Sequence, residues 1–253
     1  MNKGILLVLT TAIISGFSIF VNAFGVKGLD PFAFTGMKNL LVGVFLLSII
    51  FLSAQAKELK TLSGKQWGLL AIVGLVGGSI PFLLFFKGLS MGTGATGAFV
   101  HKTMIVWVAL GALLFLKEKL DWRIVLGAGA LLVGNFLVLD LAGVSWSGGL
   151  PLVILATFLW SAEILLSKHL LKEVSGTIVA FGRMGLGAAF ILIYLMAFGH
   201  LEAVLAWNST AWGWVALTSA LLLGYVWTFY NGLKTVNAST AVAILSLGSV
   251  ITS

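Results

Sequence analysis

Cysteine is absent from the 253 residues, which excludes disulfides and thiolate metal sites. Charge is nearly as scarce: Asp, Glu, Lys and Arg make up 9% of the chain, where a soluble domain carries about 25%. A soluble fold of this size could not cover its surface with so few charges, whereas a lipid-facing surface needs none. The three histidines, at 101, 169 and 200, are too scattered to make the His/Asp/Glu cluster of a membrane enzyme. No polar stretch is long enough for a soluble domain; the longest polar joins are 54–66 and 199–208. Present instead are 60% hydrophobic residues, 31 glycines and only three prolines. Frequent glycine suits membrane helices, where small residues let backbones approach closely.

A bilayer-spanning helix needs about 20 mostly apolar residues. Eight such runs lie near 4–25, 31–53, 67–89, 94–116, 122–142, 148–170, 176–199 and 210–232, and a ninth begins at 238. The pattern predicts an all-α integral membrane protein. Asp30-Pro31, Asp121 before Trp122, Ser175 before Gly176 and Asn208-Ser209 read as helix starts. The first run carries Lys3 and a loose cleavage-site match at Val21-Asn22-Ala23. It is longer than the 7–15 residues of a signal-peptide core, so it reads as the first membrane helix.

The formal charge of +7 invites a nucleic-acid reading, but the charges sit between the apolar runs and report topology. With the N-terminus in the cytoplasm, ten of the 15 Lys and Arg residues fall on the inner side and two, Lys27 and Lys87, on the outer. Lys38, Lys102 and Arg183 fall inside helices. Tryptophans near both ends of the runs read as interface anchors. These features place the protein in the plasma (cytoplasmic) membrane as a multi-pass chain.

An internal repeat is visible. Phe85-Phe86-Lys87-Gly88-Leu89 matches Phe229-Tyr230-Asn231-Gly232-Leu233 at an offset of 144, and Lys38 meets Arg183 at 145. Constant spacing across several helices implies a five-helix unit, the first copy over 1–142 and the second over 147–253. An odd number of helices makes the second copy enter the membrane from the opposite side, an inverted repeat with a site near the midplane. By the same spacing the second copy would continue past Ser253, so the chain reads as about nine helices with the last incomplete and a tenth missing.

Phe115-Leu116-Lys117-Glu118-Lys119-Leu120, followed by Gly127 and Gly134, resembles the end of the fourth helix, the Glu-containing loop and the Gly-spaced fifth helix of EamA-type transporters of the drug/metabolite transporter superfamily. Ala98-Phe99-Val100-His101-Lys102-Thr103-Met104 is similar to that family's fourth helix. The resemblance covers the whole chain. It implies ten helices, cytoplasmic termini, a central cavity between the halves, and transport of amino acids, nucleosides, sugars or other metabolites. The family's proline in the fourth helix and its ninth-helix equivalent are replaced by Ile105 and Ser249, leaving Pro81 as a kink candidate.

Ionisable residues inside a membrane are costly and mark candidate sites. Glu163 and Arg183 each lie about seven residues, or roughly 10 Å, from the inner ends of consecutive antiparallel helices. They form either a structural ion pair or a proton- or cation-coupling carboxylate that an arginine holds ionised. Lys38 has no acid opposite it on the first helix, where Phe17 and Ser18 lie at its depth; it either snorkels, bonds helix-end carbonyls or faces the cavity. His101 and Lys102 point about 100° apart, so one at most faces a narrow cavity squarely. His101 alone reads equally as a helix-to-helix hydrogen-bonding group. Lys102 with Lys38 would make the outer half of the cavity positive, which suits a substrate with a carboxylate or other anionic group. Trp107 and Trp160 lie mid-helix, as packing residues or as a stacking wall for the substrate, and Trp160 shares a helix face with Glu163.

Gly92-Thr93-Gly94-Ala95-Thr96-Gly97 lacks the Gly-Lys-Ser/Thr ending of a phosphate loop, and no cofactor or metal is implied. The leading function is alternating-access transport of a small metabolite, an amino acid or other anionic or zwitterionic solute, with proton or counter-solute coupling open. The alternative is a lipid-handling or scaffolding membrane subunit.

Overall fold

The computed structural model describes residues 2–25, 28–91, 94–119, 122–138 and 148–248, all helix or short connection. The first two apolar runs become α1 (Lys3–Gly25) and α2 (Pro31–Phe51). As anticipated, Asp30 caps α2: its carboxylate accepts from Phe32 N at 2.9 Å and Ala33 N at 2.8 Å, while Pro31 fills a first-turn position that needs no N–H. The polar join that follows is not plain loop. It forms α3 (Gln55–Thr61), and a reciprocal Ser63–Gln66 capping box starts α4 (Gly64–Val73) three residues before the apolar run proper.

The third run is α4, a π turn (Gly74–Ser79) and α5 (Ile80–Ser90). The fourth is two helices, α6 (Gly94–Lys102) and α7 (Met104–Phe115). Thr103 separates them, its hydroxyl donating to Val100 O at 2.6 Å, so this helix is interrupted without the family's proline. Then come α8 (Trp122–Val138), α9 (Leu150–Leu170), α10 (Gly176–Phe181), a second π turn (Gly182–Leu186), α11 (Gly187–Ala197), the short α12 (Glu202–Leu205), α13 (Ser209–Leu233) and α14 (Ala238–Ser246). Asn208 caps α13 through Ala211 N at 2.9 Å. Ser175 starts α10 with no side-chain cap bond; its N–H instead donates to Glu58 of α3 at 2.6 Å. Asp121, Ser249 and the end of the fifth run lie outside the described residues. Five helical stretches, Pro31–Phe51, Gly64–Leu89, Leu150–Leu170, Gly176–Ala197 and Ser209–Leu233, are long and apolar enough to cross a membrane.

Packing between the halves comes in matched pairs. Helix α1 lies along α13 as α5 lies along α9; α2 crosses α13 as the second π turn and α11 cross the first π turn; α14 meets α1 as α9 meets α7. Each pair exchanges equivalent helices of the two repeats, the relation expected of an inverted repeat. Glycine permits the closest crossing: a Cβ on Gly78 would lie 1.8 Å from the carbonyl oxygen of Arg183.

One end of the bundle is fastened by side chains that close open helix termini. Lys117 takes a left-handed conformation (φ 55°) that ends α7 and turns Glu118 toward α14. The Glu118 carboxylate accepts from Ala238 N at 2.7 Å, Ser239 N at 3.2 Å and Ser239 Oγ at 3.0 Å, where a helix N-terminus favours negative charge. Lys168 of α9 donates to the carbonyls of Leu233 and Val236, both at 2.7 Å, at the C-terminal end of α13.

Candidate functional site

Pro81 has no N–H, so it cannot bond the carbonyl of Gly77 four residues earlier, and its ring displaces that carbonyl. The result is the π turn, and two of its carbonyls turn to other helices. The Trp160 indole Nε1 donates to Gly77 O at 3.0 Å, and Asn39 Nδ2 donates to Gly78 O at 3.0 Å. The π turn thus lies directly before Pro81, the sequence's kink candidate, and its Gly77 carbonyl receives the Trp160 indole. Glu163 stands one turn further along α9 on the same face, packed over Gly77, where a Cβ would lie 2.3 Å from Glu163 Cγ.

Glu163 is fully buried, at 0% exposure, and Arg183 is 8% exposed. The structure brings them together: Arg183 Nη1 lies 3.5 Å from Glu163 Oε2. Glu163 Oε1 accepts from Tyr230 OH at 2.6 Å and from Ser167 Oγ at 2.5 Å, and Arg183 Nη1 donates to Tyr230 OH at 3.1 Å. The tyrosine therefore both accepts from the guanidinium and donates to the carboxylate, linking three elements, α9, the second π turn and α13. Two polar atoms of the group, Glu163 Oε2 and Arg183 Nε, are buried without a hydrogen bond. Such a network can store or pass a proton, or change partners when an ion or solute enters, because its members are close and not all satisfied.

An aromatic wall adjoins it. Trp160 makes edge contacts with Phe82 at 5.2 Å and His101 at 4.9 Å, and Phe85 packs on both Trp160 and His101. His101 Nδ1 is buried and has no hydrogen-bond partner among the described residues. Lys102, partly buried at the end of α6, has no hydrogen bond or ion pair among the described residues. Trp107 stands elsewhere: it is 36% exposed, packs on Phe158 at 4.3 Å and donates to Thr103 Oγ1 at 3.2 Å, so it is not part of the wall. Lys38 is 8% exposed and reaches no acid among the described residues; its Nζ donates to Asn22 Oδ1 at 3.0 Å and lies 5.3 Å from the Phe34 ring centre.

Sequence reasoning missed Tyr230, Ser167, Asn22 and Asn39. Ser167 was visible as the residue one turn after Glu163. Tyr230 was visible only as the polar member of the Phe86/Tyr230 repeat pair.

Fold and site together define a multi-pass α-helical membrane protein of two repeats, with a buried charged network in the second packed against the first π turn. The EamA-like transporter family model matches residues 2–140 and 147–253, and the chain belongs to that family. An uncharacterized transporter of Archaeoglobus fulgidus is 29% identical over 206 residues, spanning 79% of this chain and 69% of that one. The uncharacterized transporter YyaM of Bacillus subtilis is 23% identical over 94% of this chain and 81% of its own. A solved crystal structure at 16% identity covers 100% of this chain and 86% of that one with a TM-score of 0.79, a likeness of fold. The chain is a membrane transporter by family.

Proposed function

We propose that the protein moves a small metabolite, an amino acid or other anionic or zwitterionic solute, by alternating access in the plasma membrane, with its N-terminus cytoplasmic. The observation that carries this reading is the buried Glu163–Tyr230–Arg183–Ser167 network of the second half, whose Glu163 packs on Gly77 of the first. A rocking motion of one half against the other must pass through that junction. Glu163 is the coupling group: taking up a proton or cation there weakens its hold on Arg183 and Tyr230 and lets α9 shift against α5 and the first π turn of the other half. Lys38 and Lys102 give the other side of the bundle its positive charge, which favours an anionic group on the solute. Trp160, Phe85 and His101 form the apolar wall against which such a solute rests.

The test is transport by the full chain in proteoliposomes, with labelled amino acids and organic acids presented under an imposed proton gradient. Saturable uptake that the gradient stimulates is expected, with the stimulation lost in Glu163→Gln while gradient-free exchange persists. A gradient response unchanged in that variant would remove Glu163 from coupling. Lipid flipping without uptake of any soluble solute would favour a lipid-handling role instead.

A further inference from the structure

Glu163, Ser167 and Arg183 have counterparts 145 positions earlier in Ser18, Asn22 and Lys38. Part of the geometry repeats with the numbering. Ser167 Oγ donates to Glu163, one turn before it, at 2.5 Å; Asn22 Nδ2 donates to Ser18 Oγ, one turn before it, at 3.0 Å. Arg183 reaches Glu163 from the second π turn, whereas Lys38 of α2 reaches Asn22 Oδ1, the counterpart of Ser167, beside Ser18. Equivalent positions of the two halves carry a cluster each, and although all three residues differ, one difference changes the charge balance. In the second half the cation faces a resident carboxylate. In the first half that position is Ser18.

The Lys38 ammonium carries three donors, and among the described residues one acceptor, Asn22 Oδ1, meets it. A buried charge without an opposite charge is costly, so a site of this kind favours an anion. Thr35 Oγ1, one turn before Lys38 on the same helix, is also buried without a partner among the described residues. Ser18 Oγ is engaged as an acceptor by Asn22, which leaves its O–H to donate. A lysine and a hydroxyl bridged by one amide offer a single positive charge and two kinds of donor. That matches a carboxylate, with one negative charge and two oxygens.

We propose that Ser18, Asn22 and Lys38 bind a monocarboxylate group of the transported solute, which takes the place that Glu163 holds in the other half. The proposal rests on the transport reading for the solute's access to this depth, and it names the part of the solute that is read. A neutral or cationic solute leaves Lys38 unbalanced, and a dianion brings one charge too many.

Binding tests it without transport. The purified full chain in detergent is titrated with matched pairs, sodium benzoate against benzamide and L-leucine against L-leucinamide, and thermal stabilisation is followed. At least one carboxylate should stabilise the protein saturably while its amide does not, and Lys38→Gln should abolish the effect. Ser18→Glu installs a resident carboxylate one turn before Asn22, as Glu163 stands before Ser167. It should raise the melting temperature of the unliganded protein and weaken carboxylate binding at least tenfold. This variant keeps the test open where Lys38→Gln does not fold. Carboxylates that bind Ser18→Glu as tightly as the native chain, or no discrimination between acid and amide in either pair, would overturn the proposal. Carboxylate binding without any transport would sink the alternating-access reading and leave this site standing; transport with binding indifferent to Ser18→Glu would do the reverse.

Discussion

Burying Glu163 is tolerable because its neighbours supply both charge and hydrogen bonds. Removing one member of such a group costs more than the net worth of the contact, since the remaining charge stays buried. Tyr230 offers the cleanest measurement. Tyr230→Phe keeps the ring and the packing but deletes the hydroxyl that links Arg183 to Glu163. Stability should fall by about 1–3 kcal/mol, read by reversible denaturation in detergent. A loss within error would mean that Ser167 and Arg183 alone satisfy the carboxylate. Lys38 illustrates the opposite condition: its partner Asn22 is neutral, so the charge is solvated in part and balanced by nothing within the described protein.

At the scale of elements, the two π turns decide where side chains point. In a regular α-helix Gly77 O would be bonded within its own helix; Pro81 prevents this, and Trp160 takes the carbonyl. Pro81→Ala restores an N–H at that position and lets the turn tighten. The expected result is loss of the Trp160 hydrogen bond, seen as an upfield shift of its indole proton resonance. An unmoved resonance would show that the glycine-tight crossing at Gly78 and Arg183, and not the proline, holds the turn open. Thr103 makes the same point for the α6–α7 break. The residue replacing the family proline, Ile105, lies buried inside α7, and the interruption falls two residues earlier.

For the whole molecule, the matched packing of the halves makes motion of one against the other plausible only if an end of the bundle can open. Glu118 and Lys168 fasten one end by closing helix termini across α7, α9, α13 and α14. Native lack of cysteine makes this directly measurable. With Ala241→Cys as the single thiol in α14, Glu118→Gln should speed maleimide labelling from that side several-fold, because a neutral amide binds the helix N-terminus less well. Equal rates would show that the cap is not a latch.

How much was legible follows from how local each cause is. Composition and run length alone determined a helical membrane protein, because a chain with this little charge cannot be clothed in water. The Asp30 and Asn208 caps, and the repeat spacing that relates Lys38 to Arg183, were equally present in the sequence, since each depends on neighbours along the chain or on a constant offset. The pairing of Glu163 with Arg183 was legible as a match of depth. The entry of Tyr230 between them was not, because it comes from α13, whose rotation is set by packing against α1, α2 and α10. Trp107 and Trp160 could not be told apart by position along their helices. Tertiary structure turned one toward exposed Phe158 and the other onto the carbonyl of Gly77. The same holds for the two buried cations: the sequence set them 145 residues apart in equivalent helices, and only the folded bundle decided that one meets a carboxylate and the other a neutral amide, since charge partners are chosen by which helices touch.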